Sequence, residues 1–245
     1  MKKFEIIKNA IDKKTNNLIF KHFIQVCKHI SPKVFKNNKC LKFADANLCK
    51  KLIKLRKKNR KAFSNIYNTM QISNEILKVG YNEKIQSLAA RYLNISKSNF
   101  ALRNVQFRID LPKENQNTYG WHQDNAYYKY NTLAKNGVIF WIPLVNANLN
   151  NGTLIIKPDS FNCDISCSSK KGFKKNLFSS EQILVKPNIL KKFGKEISVD
   201  VNQNDGLITT AGIFHKSGIN NSDHVRFSLI VRFNNIFSND FIYKR

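Results

Sequence analysis

The hydrophobic period of the chain changes near Leu102, and this change constrains the fold more than any single motif does. Before it, apolar residues recur at spacings of three and four. Phe20, Phe23, Ile24 and Cys27 form one such series, and Ile72, Ile76 and Leu77 another. That spacing lines one stripe of an α-helix, with Gly80 and Asn94 as stop signals, so residues 1–95 are expected to be mostly helical. After Leu102 the apolar residues fall into short strand-like runs: Arg103–Ile109, Val138–Val145, Thr153–Lys157, Ile183–Val185, Ile197–Val201, Gly206–Thr210 and Val225–Phe233. Short strands following a helical third predict a mainly β protein in which N-terminal helices pack against a jelly-roll barrel. Pro112 cannot donate to a sheet ladder and should end the first of these strands, leaving 113–119 as a polar loop. Residues 160–177 carry no period and are long enough for a functional loop. At 245 residues and 42% hydrophobic content, one core suffices. A single domain over 1–245 is expected, with 1–95 as helical support and 100–233 as the β core.

Within the β region, His122-Gln123-Asp124 is followed far downstream by His215, and Arg226 lies eleven residues beyond that. On a strand, residues i and i+2 share a face roughly 7 Å apart, so His122 and Asp124 can converge on one ion while Gln123 points away. Two imidazoles and a carboxylate cover one face of an octahedron and leave positions open, the ligand pattern of a non-haem iron(II) site. Arg226 offers a planar, permanently charged fork suited to a carboxylate. A His-x-Asp triplet alone arises by chance in many chains. Here the surroundings add weight, because Val225–Phe233 alternates and places Arg226, Ser228 and Arg232 on one face. That polar face can look into a barrel mouth, where ligands sit.

Four segments, taken in order, resemble the phytanoyl-CoA dioxygenase family of 2-oxoglutarate oxygenases: Trp121–Asp124, Asn151–Ser160, the turn Asn204-Asp205-Gly206, and His215–Ser222 with Arg226. The resemblance spans roughly residues 100–233. It implies a double-stranded β-helix and an iron(II) centre held by His122, Asp124 and His215. It also implies that Arg226 and Ser217 hold the far carboxylate of 2-oxoglutarate. Gln106, on the preceding strand, either faces the co-substrate or is an ordinary solvated strand glutamine. The implied reaction decarboxylates 2-oxoglutarate to succinate while dioxygen hydroxylates a small or CoA-linked metabolite. Because Asp124 is present, hydroxylation is expected and halogenation is not. Relatives commonly carry a histidine after the Pro-Gly-Ser-like turn, whereas Phe161 follows Pro158-Asp159-Ser160 here, which leaves the substrate open. An apolar wall should shield the metal, with Trp121, Tyr119, Trp141, Phe140 and Phe214 as candidates. Trp141 and Phe140 alternate, so only one can face the pocket, and Trp141 is favoured. Tyr119, Trp141 and Phe161 are the candidate substrate-pocket residues.

The formal charge of +26 would ordinarily suggest nucleic acid or an anionic surface. The excess is mostly lysine, dispersed along the chain with abundant asparagine and isoleucine, as drift toward A- and T-rich codons produces. Lys50–Lys61 is dense enough to meet phosphate or an anionic lipid surface, yet Leu48, Leu52, Leu55, Ala62, Phe63 and Ile66 recur near helical spacing beside it. That pattern reads as an amphipathic helix with a solvated basic face. The stretch contains no aromatic for base stacking, which argues against a nucleic-acid module. A catalytically silent family member is a third reading, opposed by the intact triad. Five cysteines without framework spacing suit reduced thiols, and Cys163 with Cys167 lacks the further ligands a zinc site needs. With no membrane-length apolar run and no signal-peptide core, a cytoplasmic location is expected.

Overall fold

The computed structural model describes residues 4–37, 39–114, 118–128, 131–170 and 182–242. The chain opens with a short strand, β1 (Phe4–Ile7), inside the third expected to be helical. It then forms α1 (Lys13–Ile30), α2 (Pro32–Phe35), α3 (Ala46–Lys58), α4 (Arg60–Ile72), α5 (Asn74–Gly80) and α6 (Glu83–Leu93). The α1 stripe of Phe20, Phe23, Ile24 and Cys27 is buried as its spacing requires. Asn94 ends α6 in the left-handed conformation at φ 55°, a backbone state asparagine tolerates.

Two helical expectations need correction. Ile72, Ile76 and Leu77 do not share one helix: α4 stops at Ile72, which is 77% exposed, and Ser73 turns the chain, its hydroxyl donating to Thr69 O at 2.7 Å. Nor is Lys50–Lys61 one helix, because Asn59 interrupts it and caps α4 by accepting from the Ala62 amide at 3.0 Å. Leu48, Leu52 and Leu55 are buried on α3, and Lys50, Lys54, Lys57, Lys58, Arg60 and Lys61 are exposed. Arg56 departs from that solvated face. It is buried, paired with Glu114 at 2.5 Å and stacked 5.3 Å over Phe63.

Beyond the helices come β2 (Phe100–Asp110), α7 (Asp124–Tyr128), β3 (Gly137–Pro143), β4 (Leu154–Lys157), β5 (Ser168–Lys170), β6 (Ile183–Val185), α8 (Pro187–Leu190), β7 (Ile197–Ser198), β8 (Gly206–Thr210), β9 (Phe214–Ser217) and β10 (Arg226–Asn235). They form an antiparallel sheet in the order β1-β8-β3-β10-β2, a smaller sheet in the order β7-β4-β9, and the pair β5-β6. The strands build two packed sheets of a jelly roll that does not close into a barrel. The loop expected over 160–177 is partly ordered into β5, and its residues 171–177 lie outside the described ones, as do 115–117 of the polar loop 113–119.

Strand alternation decides what each face of the large sheet meets. Phe227, Leu229, Val231 and Phe233 of β10, with Val105, Phe107 and Ile109 of β2, enter the core shared with the helices. Phe23 of α1 sits 5.6 Å from both the Phe107 and Phe227 rings. The opposite face carries Gln106 and Arg108 of β2 and Arg226, Ile230 and Arg232 of β10, which line a cavity. Across it, Trp141 and Leu207 of the large sheet pack with Ile156 and Ile213 in a second, smaller core. The helices thus stiffen one side of the sheet and leave its polar side for chemistry.

Candidate metal centre

His122 and His215 meet through their backbones. His122 N donates to His215 O at 2.9 Å and His215 N returns the bond at 3.1 Å, an antiparallel bridge that puts the two rings 4.1 Å apart. Asp124 is not on a strand as expected: the chain turns after Gln123 and Asp124 is the first residue of α7. The turn still delivers the carboxylate, with Oδ1 3.6 Å from Nε2 of each histidine. Gln123 points away and braces the turn. Its amide donates to the carbonyls of Cys163, Asp164 and Gly212 and accepts from Ser168 Oγ at 2.6 Å.

The protonation pattern suits metal binding. Nδ1–H of His122 donates to Gly120 O at 2.7 Å and that of His215 to Ile213 O at 3.1 Å. A carbonyl can only accept, so Nδ1 carries a proton on each ring and Nε2 is the atom turned toward the cluster. Burial, reinforced by the neighbouring His215, lowers the His122 pKa to about 3 and keeps it neutral. For Asp124, burial pushes upward, but Arg232 and the two imidazoles outweigh it and hold the carboxyl at about 2. The ligand atoms of His122, Asp124 and His215 all lie within 4.8 Å of one another. Two imidazoles turning Nε2 toward an ionised carboxylate at this spacing fit a divalent metal of the iron type.

Arg232 was not among the residues expected to serve the site. Its Nε donates to Asp124 Oδ2 at 2.5 Å, and its far end reaches Gln106 Oε1 at 3.4 Å. The β10 alternation had placed it beside Arg226, so the signal was present. Arg226 is buried: one terminal nitrogen donates to Gly152 O, the other to Asp110 Oδ2 at 2.6 Å, and the guanidinium lies 5.5 Å over Trp141. Its Nε is buried without a hydrogen-bond partner, a donor that a ligand carboxylate would satisfy. Asp110 is shared, because Arg108 binds its other oxygen at 2.6 Å. Burial opposes its ionisation, yet Arg108 and Arg226 hold it at about 2. Neither Arg108 nor Asp110 stood out in the sequence, although both alternate with Gln106 along β2.

The remaining expected residues separate. Ser217 lines the cavity, and its Oγ accepts from the Tyr119 amide at 3.1 Å. Gln106 faces the cavity and not open solvent, and the Tyr119 ring is 5.2 Å from His122. Trp141 is the cavity-facing ring, whereas Phe140 enters the helical core. Phe161 is corrected: it is not part of the cavity wall, packing instead against the small core while its carbonyl accepts from Thr210 Oγ1 at 2.5 Å. Phe214 is fully buried against Phe193, and Trp121 stacks under Lys216 at 4.6 Å, so neither belongs to the wall. The cavity holds about 400 Å³.

Comparison with known proteins places this geometry. A search of curated protein sequences gives no match. Among solved structures, the chain is similar to EvdO2 from Micromonospora carbonacea var. aurantiaca, with TM-score 0.50 and 16% identity over 62% of this chain and 58% of EvdO2. It therefore spans under two thirds of that relative's length. It is also similar to SnoN, an epimerase of nogalamycin biosynthesis (TM-score 0.57, 12% identity, 96% of this chain and 79% of SnoN), and to the non-heme monooxygenase ThoJ (0.55, 12%, 96% and 75%). At these identities the likeness speaks for the fold. The family model for phytanoyl-CoA dioxygenase (PhyH) matches residues 54–228, and the chain belongs to that family.

Proposed function

We propose that the chain is a cytoplasmic iron(II)- and 2-oxoglutarate-dependent dioxygenase that hydroxylates a small metabolite. The observation that carries this reading is the buried His122, Asp124 and His215 cluster opening on the same cavity as Arg226. Two fold relatives support it: SnoN has been crystallised with Fe3+ and alpha ketoglutarate, and EvdO2 with 2-oxoglutarate. In this reading His122, Asp124 and His215 hold the iron, and Arg226 with Ser217 holds the far carboxylate of 2-oxoglutarate. When bound, iron and 2-oxoglutarate supply the oxidising power, with dioxygen consumed and succinate and carbon dioxide released.

The protein's own part is to bind, orient and exclude water. Arg226 is pre-set by Asp110, Gly152 and Trp141, so little side-chain freedom is lost when a carboxylate arrives. Gln106 and Arg232 brace each other beside Asp124. Trp141, Leu154 and Ile230 give the cavity its apolar wall. Because Asp124 occupies the third ligand place, hydroxylation is the expected outcome.

His215→Ala is expected to abolish metal-dependent succinate release in a protein that still folds, whereas Arg226→Ala should raise the 2-oxoglutarate requirement far more than it weakens metal binding. Unchanged turnover in metal-replete His215→Ala would overturn the assignment.

A further inference from the structure

The lysine excess of the chain is not evenly dispersed: it is concentrated on the helices behind the large sheet. Residues 13–74 hold sixteen lysines and arginines against one acidic residue, Asp45, whereas residues 75–245 hold twenty-three against thirteen. Codon drift acts on the whole chain, so it accounts for lysine throughout but not for this difference between the two parts. Asp45 is itself committed to capping α3, where it accepts from the Asn47 and Leu48 amides at 2.8 and 3.3 Å.

The helices carry this charge where it does not help them. Leu48, Leu52 and Leu55 bury one face of α3, which leaves Lys50, Lys54, Lys57 and Lys58 exposed on the other. Spacings of three and four bring these ammonium groups side by side, and like charges so placed destabilise a helix. The negative end of the helix dipole favours Lys57 and Lys58 in the last turn, but it does not reach Lys50 and Lys54. Arg60 and Lys61 follow, exposed, in the first turn of α4, where the dipole disfavours cations and no acidic residue offsets them. Local rules broken in this way mark a surface whose charge has a use.

Three features point to the kind of partner. Fourteen of the sixteen basic residues are lysines, compact charges on flexible stems and not the planar forks that grip a single phosphate. α3 has no aromatic side chain on which a base could stack. The loop entering α3 exposes Leu41, 84% accessible, between the exposed Lys39 and Lys42. A diffuse anionic surface that also admits an apolar side chain is a lipid bilayer. We propose that the outer face of α3, with Arg60, Lys61 and Leu41, binds an anionic bilayer peripherally, its cations among the headgroups and Leu41 at the boundary of the acyl chains. The side of the large sheet that carries Arg226 and the cavity is turned away from these helices.

Sedimentation of the full chain with vesicles tests this, using phosphatidylcholine alone and phosphatidylcholine with about 30 mol% phosphatidylserine. The mixed vesicles are expected to bind at least about tenfold more tightly than the neutral ones in about 0.1 M salt, and about tenfold less tightly in about 0.5 M salt. Lys50→Glu with Lys54→Glu should weaken that binding about tenfold without lowering the unfolding midpoint, because both side chains are exposed. The same reversal at Lys135 and Lys191, exposed lysines of the β region, changes the net charge equally and should weaken it less than about twofold. Leu41→Ser should weaken it about threefold or more. Equal binding to the two kinds of vesicle, equal losses from the two pairs of reversals, or an unchanged affinity in Leu41→Ser overturns the proposal. So does tighter binding to duplex DNA than to the mixed vesicles at equal phosphate concentration, which would make this a surface for nucleic acid.

Discussion

Asp124 has one oxygen to offer a metal, because Arg232 holds the other at 2.5 Å. In the proposed metal site that contact would favour ligation through one oxygen, and it keeps the carboxylate ionised and oriented. Arg232→Met should therefore lower affinity for iron(II), or for cobalt(II) as its stand-in, by about 10- to 100-fold, the range usual for partners of metal ligands. Calorimetric metal titration checks this, and unchanged affinity would remove Arg232 from the site. At this scale the family pattern's spacing singled out His122, Asp124, His215 and Arg226, and the fold brings all four to one cavity. Alternation put Arg232 on the same face as Arg226, and Arg108 and Asp110 on that of Gln106, but it could not show that Arg232 pairs with Asp124 or that Arg108 and Arg226 share Asp110. No local pattern records such pairing. Phe161 misled because its position after a turn says nothing about which way its ring packs.

Elements explain why these side chains stay in place. Gly152 stands at φ +86° just before β4, and its carbonyl receives Arg226. A Cβ at that position would lie 2.7 Å from Gly218 O and 2.9 Å from Asn220 N, both backbone atoms. Gly152→Ala is expected to cost about 1–3 kcal/mol, from backbone strain together with the close approach. It should also weaken 2-oxoglutarate binding through Arg226. Urea unfolding combined with co-substrate titration reads both effects, and a variant as stable as the parent would show that the turn can relax. The longer strands β2, β3 and β10 could be read from their apolar runs, and β8 from its glycine start. Strand β9, Phe-His-Lys-Ser, has no strand composition and exists because β4 pairs with one edge and His122 bridges the other. Strand β1 is likewise made by its partner β8. The helix breaks at Asn59 and Ser73 are set by side-chain to backbone bonds, which a periodic count passes over.

At the scale of the whole molecule, Phe23 of the helical third packs on Phe107 and Phe227 directly behind the cavity wall. The charge of +26 does not define that architecture. Buried acid groups within it do shape the pH dependence. Asp110 and Asp124 are each held at about 2, below the ordinary aspartate value of about 3.9 in an unfolded chain. Their stabilisation is complete above about pH 4 and is lost as pH falls through 2, a loss of order 2 kcal/mol each. Denaturant unfolding of metal-free protein should show stability dropping between pH 4 and 2, and Asp110→Asn, though less stable at neutral pH, should show a shallower drop. A slope unchanged by that substitution would contradict the assigned pairing. No described helix is long and apolar enough to cross a membrane.

The account stands on a metal and an oxo-acid meeting in one cavity. Anaerobic titration of the protein with iron(II) and 2-oxoglutarate tests this most directly, by the weak visible charge-transfer band that forms when the oxo-acid chelates iron. The band is predicted in the parent protein and should be absent in His215→Ala. A folded, iron-loaded parent protein that gives no band would contradict the proposed function.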